Sequence, residues 1–268
     1  MVGRRQGVKL AACQMPAELK GVEARLAAIA DAARQAGSKG TDIAVFPELA
    51  TTGYGLGDDI RALAEPADGP TIARLKAVSS ECGVALVVGL PLIEDGIAYN
   101  ACAFIAPDGA VSTYSKIQLY GDYEKALFRP GCAMPPIFDY RGMRFGLLIC
   151  FDVEFPERVR DLALRGAEAI LVPTALPRID GGRFIATSVI PVRAFENQVF
   201  VVYANHAGRD ARFSYQGLSC IAAPDGSLLA QASEAGAKII RAELDAGAYK
   251  ACREQNPYLS ELRANPDG

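Results

Sequence analysis

Phe145-Gly146-Leu147-Leu148-Ile149-Cys150-Phe151-Asp152-Val153-Glu154-Phe155-Pro156-Glu157 is the stretch from which the fold is read. The residues up to Ile149 form an apolar run of strand length, and Pro156 opens a helix at the first-turn position that proline favours. Val159, Leu162 and Ala163 then share one helical face, and Gly166 stops the helix. Cys150 therefore stands at a strand-to-helix turn. Such a turn holds a side chain rigidly and aims backbone N–H groups at a reacting carbonyl. Taken alone, Cys150 reads more readily as a buried structural thiol than as a nucleophile.

The same alternation extends to both sides. Strands are expected over 8–14, 42–46, 84–90, 98–106, 111–114, 169–172 and 199–204. Helices are expected from Leu19 to near Gly37, over 71–82, and over 183–196, where Pro191 should break or kink the last. Residues 51–57 and 116–131 read as loops, and two Pro-Asp-Gly turns (107–109 and 224–226) fall between strands. Strands alternating with helices and hairpins, with no linker or composition shift, give a mixed α/β layered fold. Residues 1–244 are assigned to one domain and 245–268 to a polar C-terminal extension.

Composition narrows the function. The chain has 268 residues, is 50% hydrophobic and 22% charged, and carries a formal charge of −3, so it lacks the basic stripe of a nucleic-acid-binding protein. No apolar segment has the length of a membrane span, and Met1 to Gly7 is not followed by a signal-type apolar region, so the cytoplasm is the expected compartment. The seven cysteines are widely spaced and include no Cys-x-x-Cys pair. His206 is the only histidine, which excludes a multi-histidine metal site and turns attention to a carboxylate or lysine as the base for any nucleophile. His206 itself reads as a satisfied structural residue following a strand, with a pocket wall as the other reading.

Glu48 follows a buried-type strand and precedes a Gly-rich loop; Lys116 follows a second strand. By themselves these are an ordinary glutamate and a solvated lysine. With Cys150 they supply a nucleophile, a base and an electrophilic stabiliser that need no histidine.

Three blocks carry a resemblance to the nitrilase, or carbon–nitrogen hydrolase, superfamily: Phe46-Pro47-Glu48-Leu49, Tyr114-Ser115-Lys116-Ile117-Gln118-Leu119, and Leu148-Ile149-Cys150-Phe151-Asp152 with Phe155-Pro156-Glu157. Phe128-Arg129-Pro130-Gly131, Arg193-Ala194-Phe195-Glu196-Asn197 and Tyr203-Ala204-Asn205 also match, so the resemblance runs from Val8 to about Leu244. Phe151-Asp152 in place of Trp-Glu, with Leu171-Val172-Pro173-Thr174-Ala175, resembles the amidase branch, including bacterial short-chain and 5-aminovaleramidase-like enzymes. Gln118 stands where many members carry histidine.

The resemblance implies a four-layer αββα sandwich, a homodimer or higher homo-oligomer built through the helices near the nucleophile, and a catalytic set of Glu48, Lys116 and Cys150 joined by Glu124. It implies cleavage of a small linear carboxamide through a cysteine thioester, with Lys116 and the Phe151 N–H forming the oxyanion hole, and no cofactor or metal. Tyr54, Glu154, Thr174 and Ala175 are the candidate substrate-binding residues. Glu154 is placed either to attract the ammonium of an amino-amide or to form a salt bridge within the fold; Asp152 and Arg193 are expected in structural ion pairs. The alternatives are an N-carbamoyl amine or amino-acid hydrolase using the same residues, and a non-catalytic binding protein that keeps the fold.

Overall fold

The computed structural model describes residues 7–262. Residues 1–6 and 263–268, the ends of the N-terminal stretch and of the C-terminal extension read above, lie outside the described residues. The first half of the chain forms β1 (Val8–Pro16), α1 (Val22–Gly37), β2 (Ile43–Val45), α2 (Asp59–Ala62), α3 (Pro70–Cys82), β3 (Ala85–Glu94), β4 (Ile97–Ile105), β5 (Val111–Ser115) and α4 (Gly121–Leu127). The second half forms β6 (Ile137–Tyr140), β7 (Met143–Leu147), α5 (Pro156–Leu164), β8 (Ala169–Pro173), α6 (Gly182–Phe184), α7 (Ile190–Asn197), β9 (Phe200–Ala204), β10 (His206–Arg209), β11 (Ser214–Gln216), β12 (Cys220–Ala222), β13 (Leu228–Gln231), β14 (Lys238–Leu244), α8 (Lys250–Gln255) and α9 (Tyr258–Glu261).

Two mixed sheets result. One runs β11-β10-β1-β2-β3-β4-β5, with β14 also antiparallel to β1; the other runs β13-β12-β9-β8-β7-β6. The period of two along each strand separates the layers. On β1, Leu10 and Ala12 join the core shared with Phe145, Leu147 and Val201 of the second sheet. Ala11 and Cys13 pack instead with Leu26, Ile29 and Ala33 of α1 and Leu75 of α3. Val159 and Leu162 of α5, with Ile190 and Ala194 of α7, cover the second sheet. The order is helix, sheet, sheet, helix: the four-layer sandwich that the resemblance implies.

Three local expectations are corrected. Residues 116–131 are not all loop, because Gly121–Leu127 is helical with Glu124 and Leu127 on its buried side; seven residues are too few for periodicity to declare itself. Pro191 does not break its helix. A π-turn at Ile185–Val189 joins α6 to α7 immediately ahead of it, and this widened turn relieves the clash between the proline ring and the preceding turn. Residues 51–57 contain a 3-10 turn at Tyr54–Leu56. After Leu244 the chain forms a 3-10 turn, α8 and α9, which pack back through Tyr249 on Phe200 and Tyr258 on Phe195.

Candidate active site

Strand direction decides which residues meet. β2 is parallel to β3, and β3, β4 and β5 are successively antiparallel, so β5 runs the same way as β2. Glu48, just past β2, and Lys116, immediately past β5, therefore emerge at the same end of the first sheet. In the second sheet β7, β8 and β9 are mutually parallel, and Cys150 and Thr174 follow the ends of β7 and β8. The sheets are tied together here: the Glu48 N–H donates to the Thr174 carbonyl at 3.3 Å.

The backbone is held in unusual conformations at both places. Cys150 has φ +44° and Leu49, beside Glu48, has φ +49°, a region that costs a non-glycine residue free energy and that persists where the surroundings enforce it. Two glycines allow the close packing. A Cβ on Gly89 of β3 would lie 2.4 Å from the Pro47 oxygen and 2.6 Å from the Glu48 Cα; one on Gly131 would lie 2.2 Å from the Ser115 oxygen. The Gly131 N–H in turn donates to the Lys116 carbonyl at 2.8 Å.

Glu48, Lys116 and Glu124 are fully buried and in contact. Lys116 Nζ is 2.7 Å from Glu48 Oε1 and 2.7 Å from Glu124 Oε1. Asn100 Nδ2 donates to Glu48 Oε1 at 2.6 Å, and Glu124 also accepts from the Tyr54 hydroxyl (2.7 Å) and the Tyr120 N–H (3.0 Å). Among the described residues, nothing donates a hydrogen bond to Glu48 Oε2. An ammonium has three N–H donors, so two carboxylate contacts leave Lys116 one for a further oxygen.

The charges settle unevenly. Burial lifts the Glu48 carboxyl to about 7, the Lys116 ammonium opposing and the Glu124 carboxylate adding to the rise. Burial pulls Lys116 down, but Glu124 and Glu48 outweigh it and hold the ammonium charged. The Cys150 thiol is pushed well above its usual range by burial and then by Glu48; Lys116 and the nearby Thr174 hydroxyl only partly offset this. Whether Lys116 or the carboxylate would dominate at the thiol could not be read from the sequence. In the fold the resting form is the neutral thiol.

Cys150 opens a 3-10 turn, Cys150–Glu154, whose Asp152 N–H returns to the Ile149 carbonyl at 3.0 Å. The N–H groups of Cys150 and Phe151 precede that bond at the turn's open end. Asp152 departs from expectation: among the described residues it forms no ion pair. Its Oδ2 accepts from Tyr114 Oη (2.9 Å) and the Ile149 N–H (3.1 Å), and its Oδ1 accepts from the Gln118 N–H (2.8 Å). It thereby fastens the turn carrying Cys150 to the segment carrying Lys116. Arg193 does form an ion pair, with Glu196 at 2.9 Å, and donates to the carbonyls of Val153 and Glu154.

Glu154 is half-buried, and its carboxylate is in no salt bridge among the described residues, against the internal pairing considered above. Burial lifts it to about 7, with Lys116 and Arg193 opposing. Tyr54 is buried and spends its hydroxyl on Glu124, so it braces that carboxylate. Thr174 and Ala175 are buried at the end of β8, Ala175 packing with Tyr54 and Leu49. His206 is buried, its Nε2 2.8 Å from the Glu48 carbonyl oxygen. Since a carbonyl only accepts, Nε2 carries the proton, and Nδ1 has no partner among the described residues. No cluster of three or more metal-ligating His, Cys, Asp or Glu side chains occurs among the described residues.

Asn100 and Gly89 were not singled out from the sequence, and Gly131 stood only as the end of the matching stretch Phe128-Arg129-Pro130-Gly131. Asn100 had one signal, a lone amide inside the apolar run Ala98–Ala106; Gly89 had none, because its importance lies in the backbone that crosses it.

Comparison with known proteins gives the family and the fold. The sequence model of the carbon-nitrogen hydrolase family matches residues 9–254. The "Hydrolase in pqqF 5'region" of Pseudomonas protegens is 42% identical over 83% of this chain and 78% of its own. An (R)-stereoselective amidase from a Pseudomonas species is 35% identical over 83% and 80%. The amidase of Nesterenkonia AN1, from the nitrilase superfamily, superposes with a TM-score of 0.85 at 32% identity, covering 98% of this chain and 97% of that one. One structure of a variant of that amidase shows covalent addition of the acetamide moiety of fluoroacetamide at its active-site cysteine.

Proposed function

The chain belongs to the carbon–nitrogen hydrolase family and is an amidase acting on carbon–nitrogen bonds other than peptide bonds; on that premise we propose that it hydrolyses a small linear carboxamide to a carboxylate and ammonia through a thioester on Cys150. The observation that carries this reading is the asymmetry of Glu48, whose Oε1 is saturated by Lys116 and Asn100 while Oε2 is free to take a proton.

Because the thiol rests neutral, Glu48 Oε2 takes the Sγ proton as sulfur attacks the amide carbon. The third Lys116 N–H and the Phe151 N–H meet the developing oxyanion. Glu48 gives the proton to the departing nitrogen, the C–N bond breaks and ammonia leaves. Glu48 then takes a proton from water as that water attacks the thioester; the C–S bond breaks and the proton returns to sulfur. Glu124 fixes Lys116 and, in this reading, orients the amide or the water.

For the acyl group, the unpaired carboxylate of Glu154, four residues beyond the nucleophile, favours amides that carry an ammonium. The apolar side chains of Leu164, Phe184 and Val192 are exposed on the helices near the nucleophile and suit a homodimer contact, to which the extension from residue 245 contributes. Seven free thiols fit a reducing compartment such as the cytoplasm, and no helix among the described residues is long and apolar enough to cross a membrane.

The test is ammonia release from short aliphatic, ω-amino and α-amino acid amides. Cys150→Ala should abolish release with the fold intact, and quenching during turnover should trap an acyl group on Cys150 in the unaltered enzyme. Normal turnover by Cys150→Ala excludes the reading. Carbon dioxide released alongside ammonia would mark a carbamoyl substrate instead.

A further inference from the structure

Asn100 sits in β4 directly before the residues that pair with β5, and it touches two of the three members of the buried charge cluster. Its backbone carbonyl accepts the Lys116 N–H at 2.8 Å, and its side-chain Nδ2 donates to Glu48 Oε1 at 2.6 Å. Its own Oδ1 is buried without a partner among the described residues. A buried amide with one half unsatisfied costs free energy, and an apolar residue of similar size would avoid that cost. Packing therefore does not account for the amide. What it does supply is a donor to one oxygen of a carboxylate whose other oxygen is bare.

We propose that Asn100 is a positioning residue for the reaction: its amide, with Lys116, occupies Glu48 Oε1 and so fixes Oε2 as the oxygen that exchanges the proton with Cys150 and with the leaving nitrogen. A carboxylate held by Lys116 alone can rotate and present either oxygen to the ammonium. In that state the base faces sulfur only part of the time, and a proton-accepting geometry off by about 1 Å is costly to rate. The Asn100 donor also favours the ionised carboxylate, because a hydrogen bond to the charged form stabilises it. Removing the amide thus has two effects of one origin. The base is less well aimed, and it is protonated at higher pH.

This inference rests on Glu48 being the base, and the experiment separates the two. Asn100→Leu keeps the size and the backbone carbonyl contact to Lys116 but removes the donor. The expected result is a kcat/KM lower by about 10- to 100-fold, carried mainly by kcat, with the acid limb of the pH profile displaced upward by about one unit. Asn100→Asp, isosteric and able to place a second carboxyl beside Glu48, should displace the limb further. A purely structural asparagine would lower the melting temperature and leave the limb where it was. A folded Leu or Asp variant with the unaltered enzyme's pH profile overturns the proposal, and the Asp variant decides if the Leu variant does not fold. Turnover by Glu48→Gln at the unaltered rate would instead remove the general-base reading itself.

Discussion

His206 Nε2 donates to the backbone carbonyl of Glu48 across 2.8 Å, so the only histidine of the chain helps to hold the segment that carries Glu48. It does this from β10, the strand that pairs with the end of β1, and it joins the segment after β2 to the other side of the sheet. Burial, then the charge of Arg25, pushes the imidazole down to about 3.

That displacement makes His206 a source of acid lability. The unfolded chain binds a proton at this residue below about 6.5, and the folded chain does so only near 3, so stability falls as pH drops between those values. At pH 5 the loss is about 2 kcal/mol. Glu48 works in the opposite sense, because its raised value favours the folded state as pH falls from 7 toward 4.5. The comparison is therefore between the unaltered protein and His206→Gln by urea unfolding. The advantage of histidine over glutamine should shrink by about 2 kcal/mol between pH 7.5 and pH 5; an unchanged difference would mean that the imidazole is charged in the fold.

The pH profile of turnover should show a single-proton acid limb near 7, since Glu48 must be ionised to accept the thiol proton and burial lifts it to about that value. Initial rates of ammonia release should rise tenfold per pH unit below the limb and level off above it. A limb near 4.5 would show that Lys116 outweighs the desolvation of Glu48.

Gly89→Ala places a methyl 2.4 Å from the Pro47 oxygen, where backbone and not a flexible side chain must move. The expected cost is about 1–3 kcal/mol of stability. The activity lost should exceed that of a surface substitution of equal destabilisation, because the displaced segment carries Glu48. Urea unfolding together with kcat measures both.

Asp152→Asn replaces an acceptor of three hydrogen bonds by a group that must present an NH2 to one of the donors facing it. Each N–H or O–H left unpaired costs about 1–3 kcal/mol, so the melting temperature should fall clearly. The rate should fall too, as the Cys150 turn comes loose from the Lys116 segment. The acid limb should stay in place, because Glu48 keeps its own partners; a displaced limb would assign Asp152 to the proton chemistry.

Glu154→Gln should lower kcat/KM for an ω-amino amide by about tenfold, roughly 1.4 kcal/mol, relative to a neutral amide of the same length. Equal losses on the two substrates would place the Glu154 carboxylate outside substrate recognition.

By itself the sequence determined the layered α/β architecture and the strand-to-helix setting of Cys150, because alternating apolar runs, a first-turn proline and a stopping glycine act locally. Its three motif blocks also marked Glu48 and Lys116. What they could not contain was the cluster itself. Glu48, Asn100, Lys116 and Glu124 meet only when β2, β3, β4 and β5 are laid side by side and α4 folds over them. The free oxygen of Glu48, the neutral thiol, and the reassignment of Asp152 from ion pair to clasp all follow from burial and from distances between segments. Desolvation and hydrogen-bond geometry arise only when strands distant in sequence pack and exclude water, so the tertiary structure alone decided them.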